Sequence, residues 1–147
     1  MAVFLRNANI EDAQILLEWK NDPITIDSAF INKFVDYKTH IQWFENKLLD
    51  RNCFMYILMD GIECVGQLRI DKVGDIGEID YTIAPNKRKM GYGSIIIKLA
   101  EEIALNNIKV LMGLVKDTNK PSKKCFKNNK FTEFAGGGIA CYIKILS

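Results

Sequence analysis

The stretch Ile83-Ala84-Pro85-Asn86-Lys87-Arg88-Lys89-Met90-Gly91-Tyr92-Gly93-Ser94 leads from an apolar strand through a basic turn into the start of a helix. From Gly77 to Ala84, residues Glu78, Asp80 and Thr82 alternate with Ile79, Tyr81 and Ile83, the period of two that a half-buried strand requires. Pro85 and Asn86 break that strand. After Gly93, the apolar residues Ile95, Ile96, Leu99, Ala100 and Ile103 recur at helical spacing, so Gly91 and Gly93 fall at or just before the first helical turn. Amides there have no partner within the helix, and the positive end of the helix dipole points the same way, which suits the junction to phosphate. The two glycines let an anion approach the backbone, and Arg88 with its lysine neighbours adds charge. Close packing is the alternative use of such a glycine pair.

Two familiar phosphate patterns do not fit. Neither glycine is followed by Lys and Ser or Thr at the Walker spacing. The dinucleotide fingerprint fails because Ile96 stands where its third small residue belongs, and because the strand arrives too late in the chain.

The remaining sequence predicts one domain built of alternating segments. A chain of 147 residues, 48% apolar, is long enough to bury one sizeable core. Val3 to Arg6 reads as a strand, and Asn9 with Asp12 forms a capping-box pattern before a helix carrying Ile10, Ala13, Leu16, Leu17 and Lys20. Asp22-Pro23 is expected to end that helix, and Ile24 to Asp36 reads as a loop or broken helix. Thr39 to Leu49 is predicted helical. Strands Cys53 to Met59 and Ile62 to Ile70 are joined at Asp60-Gly61, a hairpin signal, and precede the Gly77 strand. A helix to about Leu105, a continuous apolar strand Val110 to Val115, a helix Asn119 to Asn129, and strands Phe131 to Phe134 and Ile139 to Ile145 complete the order.

Several function classes are set aside. The net charge of +2 is a small difference between two large, interspersed sets, unlike a dedicated nucleic-acid surface. Lys116, Lys120, Lys123, Lys124, Lys127 and Lys130 lack interleaved stacking aromatics apart from Phe126, and read as a field around an anion or as a solvated face. No apolar run is long enough for a membrane span, and the polar residues Arg6 to Asn9 do not suit a secretory signal. Cys53, Cys64, Cys125 and Cys141 show no paired spacing, so neither a zinc site nor any other metal is expected, and reduced thiols point to the cytoplasm.

Arg88-x-x-Gly91-x-Gly93 in its strand-to-helix setting resembles the acetyl-CoA pyrophosphate loop of the GNAT superfamily of N-acetyltransferases. Asn119-x-x-Ser122-x-x-x-Phe126 followed by Phe131 resembles a later motif of that superfamily, which flanks the pantetheine arm; Asn119 and Ser122 also read as a helix cap and first turn. The sequence departs from the pattern at Phe126, where the family often has the Tyr that protonates the leaving thiolate, and at Lys130, where a Gly is common. The element order matches along the whole chain. The resemblance implies an α/β (α+β) fold: a mixed, mostly antiparallel sheet of six or seven strands, splayed in the middle and flanked by about four helices.

It further implies acetyl-CoA as cosubstrate, with Tyr81, Thr82 and Ile83 along its arm, Arg88, Lys89, Met90, Gly91, Tyr92, Gly93 and Ser94 around its diphosphate, and Asn119, Ser122 and Phe126 beside it. Acetyl transfer by direct attack needs an aligned, uncharged amine and a proton acceptor. Glu78 is the candidate base, through water, with Asp80 its rival two residues on; both also suit an ordinary solvent-facing strand edge. Leu17 to Pro23, Ser28 to Phe30, His40 to Phe44 and Val65 to Ile70 resemble enzymes that acetylate nucleotide-linked amino sugars in pseudaminic-type sialic acid synthesis. Trp19, Asn21, Ser28, Phe30, His40 and Arg69 are the acceptor-site candidates from those segments. Trp19 and Trp43 are suited to stacking a base or sugar, or to the core, and Lys33, Lys38 and Arg69 to a diphosphate. Trp-x-Asn-Asp also occurs in acetyltransferases of ribosomal-protein N-termini and aminoglycosides, so a protein or aminoglycoside acetyltransferase and a non-catalytic acetyl-CoA-binding module stay open. Monomer and homodimer are equally compatible.

Overall fold

A computed structural model describes residues 2–146. The alternating segments pair into one seven-stranded sheet. Its strands are β1 (Val3–Asn7), β2 (Cys53–Asp60), β3 (Glu63–Val73), β4 (Ile76–Ile83), β5 (Val110–Lys116), β6 (Thr132–Gly136) and β7 (Ile139–Ile145), in the spatial order β1-β2-β3-β4-β5-β7-β6. All neighbours are antiparallel except β4 and β5. The helices are α1 (Ala13–Lys20), α2 (Pro23–Ser28), α3 (Tyr37–Leu49), α4 (Tyr92–Ala104) and α5 (Lys120–Asn128).

Among the described residues five α-helices therefore stand where about four were expected. The extra one is α2, in the segment read as a loop or broken helix. Asp22-Pro23 does end α1, but it also begins α2: Asp22 accepts the Thr25 amide as the cap, and Pro23 takes the first helical position, where no amide hydrogen is needed.

Alternation of apolar residues gives the sheet two covered faces. On one, Ala13, Leu16, Trp19 and Phe44 of α1 and α3 pack on Met55, Ile57 and Met59. On the other, Ile96, Ile97, Ala100 and Phe126 of α4 and α5 pack on Leu58, Leu68, Ile79, Leu111 and Tyr142. Burying each such side chain contributes roughly 1.5–3 kcal/mol.

The sheet opens between β4 and β5. Only Ile76↔Val110, Gly77↔Leu111 and Glu78↔Met112 pair, after which the two strands diverge. Parallel strands continue pairing where backbone hydrogen bonds can be made, so the remaining length of β4, Ile79 to Ile83, and of β5, Gly113 to Lys116, leaves polar groups along the fork open to another partner.

The N-terminal turn carries its own charge device. Asp12 closes the expected capping box by accepting the Asn9 amide at 2.9 Å, and it receives both Arg6 guanidinium nitrogens at 2.9 and 2.8 Å. Burial alone would raise the Asp12 carboxyl, but the Arg6 and Asn9 hydrogen bonds and the Arg6 charge outweigh it and hold it below its ordinary value. A depressed folded-state pKa adds stability that is present above the unfolded value and lost as pH falls through the folded one. Asp12→Asn is expected to cost about 2 kcal/mol at pH 7 and to flatten the stability loss below about pH 4, measured by urea denaturation across pH.

Candidate functional site

A cavity of about 580 Å³ passes through the fork. Glu78, Asp80 and Thr82 line it from one face of β4, and Ile79 and Tyr81 from the other, as β4 loses its neighbour beyond Glu78. Leu114 and Val115 of β5 form the opposite bank, with Asn119, Ser122 and Phe126 beyond them. On the α1–α3 side the walls are Trp19, Lys20, His40, Trp43, Gln67 and Arg69, together with the segment Thr25 to Val35.

Beside the fork α4 begins with an uncapped turn: a Cβ on Gly93 would lie 3.6 Å from the Tyr81 hydroxyl, while the residues from Arg88 to Ser94 stand outside the cavity lining itself. Gly91 takes φ +86°, the left-handed region that favours glycine, and open space surrounds the place where a Cβ would project. It has no side chain to cap the amides of Tyr92, Gly93 and Ser94, which therefore stay available. Lys89, also left-handed at φ 62°, and the exposed Met90 complete the turn. Uncapped amides next to the fork, beside Lys89, fit an anionic group with an extended arm such as acetyl-CoA.

The glycine pair divides its labour. A Cβ at Gly93 would lie 2.6 Å from Cys125 Sγ, so this glycine lets α4 pack against α5 rather than admitting a ligand. Tyr92 contributes its amide, while its hydroxyl turns away to Asp60. The Ser94 hydroxyl accepts from Asn128 at 3.1 Å. Arg88 does not point at the turn: it donates to Asp22 at 2.7 Å and to Thr25 at 3.0 Å, tying the turn to α2. From the other bank Lys116 donates to the Asp27 carbonyl and to Asn32, both at 2.9 Å. Asn21 is likewise a tether, its amide exchanging hydrogen bonds with the Val35 backbone at 2.7 and 2.9 Å, and it does not line the cavity.

Along the arm, Tyr81 donates to Ser122 at 2.9 Å, and burial pushes its phenol well above the ordinary value, so it keeps its proton. Asn119 caps α5 through the Ser122 amide at 3.3 Å, so the cap reading of that motif holds. Thr82 accepts from Gln67 at 3.3 Å, and Ile83 lies outside the cavity wall. Phe126 is core: its ring stacks on Tyr142 at 5.1 Å and meets Phe131 edge-on at 5.1 Å. Its tip faces β5 so closely that a Cβ at Gly113 would come within 2.6 Å of Cε1 and nearer still to Cζ. A tyrosine hydroxyl at this position would run into the β5 backbone, which accounts for the Phe.

The two carboxylates differ in what holds them. Asp80 accepts from Gln67 at 3.2 Å and Arg69 at 3.4 Å, whereas among the described residues no such partner engages Glu78. Glu78 is the last β4 residue paired to β5 and stands at the crotch of the fork. Its charge is felt across the sheet by Cys141, whose thiol is pushed up by burial and then by Glu78.

Of the acceptor candidates, Trp19, Ser28, Phe30, His40 and Arg69 line the cavity. His40 is buried, with Nε2 3.0 Å from the Ala13 carbonyl; because a carbonyl only accepts, Nε2 carries the hydrogen. Burial and the nearby Lys20 push the imidazole down. Trp43, which suited the core as well as stacking, is half-buried on the wall with Lys20 Nζ 3.7 Å from its centroid. Lys33 lines the cavity and Lys38 does not. Lys20 was missed as a site residue, although its place in the apolar series Ala13, Leu16, Lys20 is a signal for a lysine turned inward. Among the described residues no cluster of metal-ligating side chains occurs, and no helix is long and apolar enough to cross a membrane.

The sequence model of the Acetyltransferase (GNAT) family matches residues 14–131. No curated protein sequence gives a significant match. Among solved structures, spermidine N-acetyltransferase from Vibrio cholerae in complex with CoA and spermine superposes with a TM-score of 0.88 at 14% identity, covering 98% of this chain and 95% of that one. An N-acetyltransferase from Staphylococcus aureus gives 0.85 at 18% identity over 100% of both chains. The aminoglycoside acetyltransferase AAC(6')-Ib in complex with coenzyme A gives 0.83 at 16% identity, covering 98% and 95%.

Proposed function

Because this chain belongs to the GNAT acetyltransferase family and is an acetyl-CoA-dependent N-acetyltransferase, we propose that its acceptor is the primary amine of a nucleotide-linked amino sugar. The observation that carries this reading is the cavity through the fork, whose α1–α3 side, read as the acceptor chamber, carries the Trp43 indole, with Trp19 buried behind it, and three cations. Lys20, Lys33 and Arg69 stand there against Glu78 and Asp80, and Asp80 is already held by Arg69. A polyamine carries only positive charge, which such a wall repels. Nucleotide sugars carry a diphosphate and flat rings, which cations and indoles accommodate.

Acetyl-CoA supplies a thioester carbonyl already activated for attack. In our reading the freed β4 backbone of Tyr81, Thr82 and Ile83 receives its arm as an added strand would be received, and the amides of Tyr92, Gly93 and Ser94 receive its diphosphate. Lys89 adds charge there, and Asn119, Ser122 and Phe126 shape the far bank. Glu78 takes the proton that the amine loses as the new C–N bond forms and the C–S bond breaks, by way of a water. The protonated Tyr81–Ser122 hydroxyl pair borders the same cavity. The four free cysteines suit a reducing compartment, and we assign the reaction to the cytoplasm.

Thiol release from acetyl-CoA by the purified protein, measured against nucleotide amino sugars, simple amino sugars, aminoglycosides, polyamines and peptides, tests the assignment. Nucleotide amino sugars are expected to give the highest kcat/KM, by about tenfold or more, the worth of one well-made charged contact. A polyamine or peptide at the top of that order would contradict it.

A further inference from the structure

We infer that Lys20 binds a phosphoryl group of the acceptor, at the Trp43 wall of the chamber; this rests on the reading of the chamber as the acceptor site. Lys20 is the last residue of α1 and lies on the same side as Ala13 and Leu16, so its side chain runs inward along the chamber wall. Its ammonium lies 3.7 Å from the Trp43 centroid, and the Arg69 guanidinium lies 5.2 Å from the same ring. Two cations thus converge on one indole.

Their charges are met unequally. Arg69 has Asp71 at 2.8 Å and Asp80 at 3.4 Å. Lys20 has no carboxylate within ion-pair distance among the described residues, and its contact is with the Trp43 π face. Such a contact offsets only part of the cost of taking an ammonium partly out of water. The neighbouring His40 offers no negative charge: it is neutral, with its Nε2 hydrogen on the Ala13 carbonyl, and its buried Nδ1 has no partner. Burial, followed by the charge of Arg69, pushes the Lys20 ammonium down to about 8, with Asp80 pulling the other way. Among the described residues the Lys20 ammonium thus lacks an anionic partner at contact distance.

A phosphoryl dianion supplies it. Lys20 then shares the charge with Arg69, which faces the same indole, while Glu78 is left for the amine. The chamber thereby reads its substrate at two points, an amine beside Glu78 and a phosphate beside Trp43. A sugar phosphate and a nucleotide diphosphate share this chemistry.

Calorimetric titration of the whole protein with CoA present in excess tests the inference without relying on turnover. Glucosamine, glucosamine 6-phosphate and UDP-glucosamine are the probes. At least one phosphorylated probe is expected to bind about tenfold or more tightly than glucosamine, the worth of one charge-assisted contact. Tighter UDP-glucosamine identifies a nucleotide diphosphate as the source, and tighter glucosamine 6-phosphate a sugar phosphate. Lys20→Met is expected to abolish the preference while keeping CoA affinity and thermal midpoint, and Lys20→Arg to keep it. Equal affinity for all three probes in the wild type, or a preference that survives in Lys20→Met, overturns the inference. The wild-type comparison decides even where a variant fails to fold. Binding of the phosphorylated probes with no acetyl transfer to any amine would remove the acetylation reading alone, whereas transfer without the preference would remove this one alone.

Discussion

Glu78→Gln is expected to lower turnover about 10²–10³-fold near neutral pH while leaving acetyl-CoA affinity within about twofold, the range that removal of a general base produces. The amide keeps the shape and the strand position but cannot accept the proton of the attacking amine. Geometry distinguishes Glu78 from Asp80. Asp80 is held between Gln67 and Arg69, so Asp80→Asn disturbs the placement of Arg69 and is expected to act mainly on acceptor KM. Steady-state kinetics over pH 6–9 for both variants checks the assignment. A larger kcat loss in Asp80→Asn than in Glu78→Gln would transfer the base to Asp80.

The largest stability effect is expected at Gly113, in the middle of β5. A methyl group there overlaps the Phe126 ring, and that ring is fixed by Tyr142 and Phe131 on its other sides. Gly113→Ala is therefore expected to cost about 3 kcal/mol, at the upper end of the overpacking range. At roughly 2–4 °C per kcal/mol for a chain of this size, the thermal midpoint should fall by roughly 6–12 °C. Phe126→Leu removes the overlapping ring tip, so the double variant should be more stable than the sum of the single losses predicts. Strict additivity would show that the β5–α5 contact is looser than described. The same contact explains why Phe126→Tyr is expected to destabilise the protein without raising turnover.

These contacts mark where the sequence was legible. Strand β4, Ile76–Ile83, falls within one residue of the alternating run Gly77 to Ala84 because that pattern reports the buried face directly, and Gly137 and Gly138, at φ +63° and +82°, form the two-residue hairpin turn that fixes the register of β7 with β6. The glycine turn before α4 was legible because Gly91 and the start of that helix are local features. Its side chains were not. Arg88 sits in the expected motif, yet its partner, Asp22, is 66 residues away, and no local pattern encodes that meeting. Gly93 carries one sequence signal for two physical uses, close ligand approach and close packing, and only the position of Cys125 decides between them. The Asp22-Pro23 pair is ambiguous in the same way, since a residue that stops one helix can cap the next. The fork itself follows from where β4 and β5 cease to pair, a long-range matter that the apolar run Val110–Val115 does not reveal.

The arrangement gives a division of work across the sheet. The cavity is lined by Asn119, Ser122 and Phe126 on the α4–α5 side and by Lys20, His40 and Trp43 on the α1–α3 side, with Glu78 at the crotch of the fork between them. Arg88 and Lys116 fasten the Asp22–Asn32 segment from both banks, so the chamber wall is tied to the turn before α4 and to β5.

Backbone amide chemical shifts recorded with and without CoA test the central claim most directly. The account predicts the largest shifts at Gly91 to Ser94 and along Tyr81 to Ile83, with slowed hydrogen exchange at the Tyr92, Gly93 and Ser94 amides. Saturable CoA binding that leaves those residues unchanged, with its largest shifts elsewhere on the sheet, would contradict it.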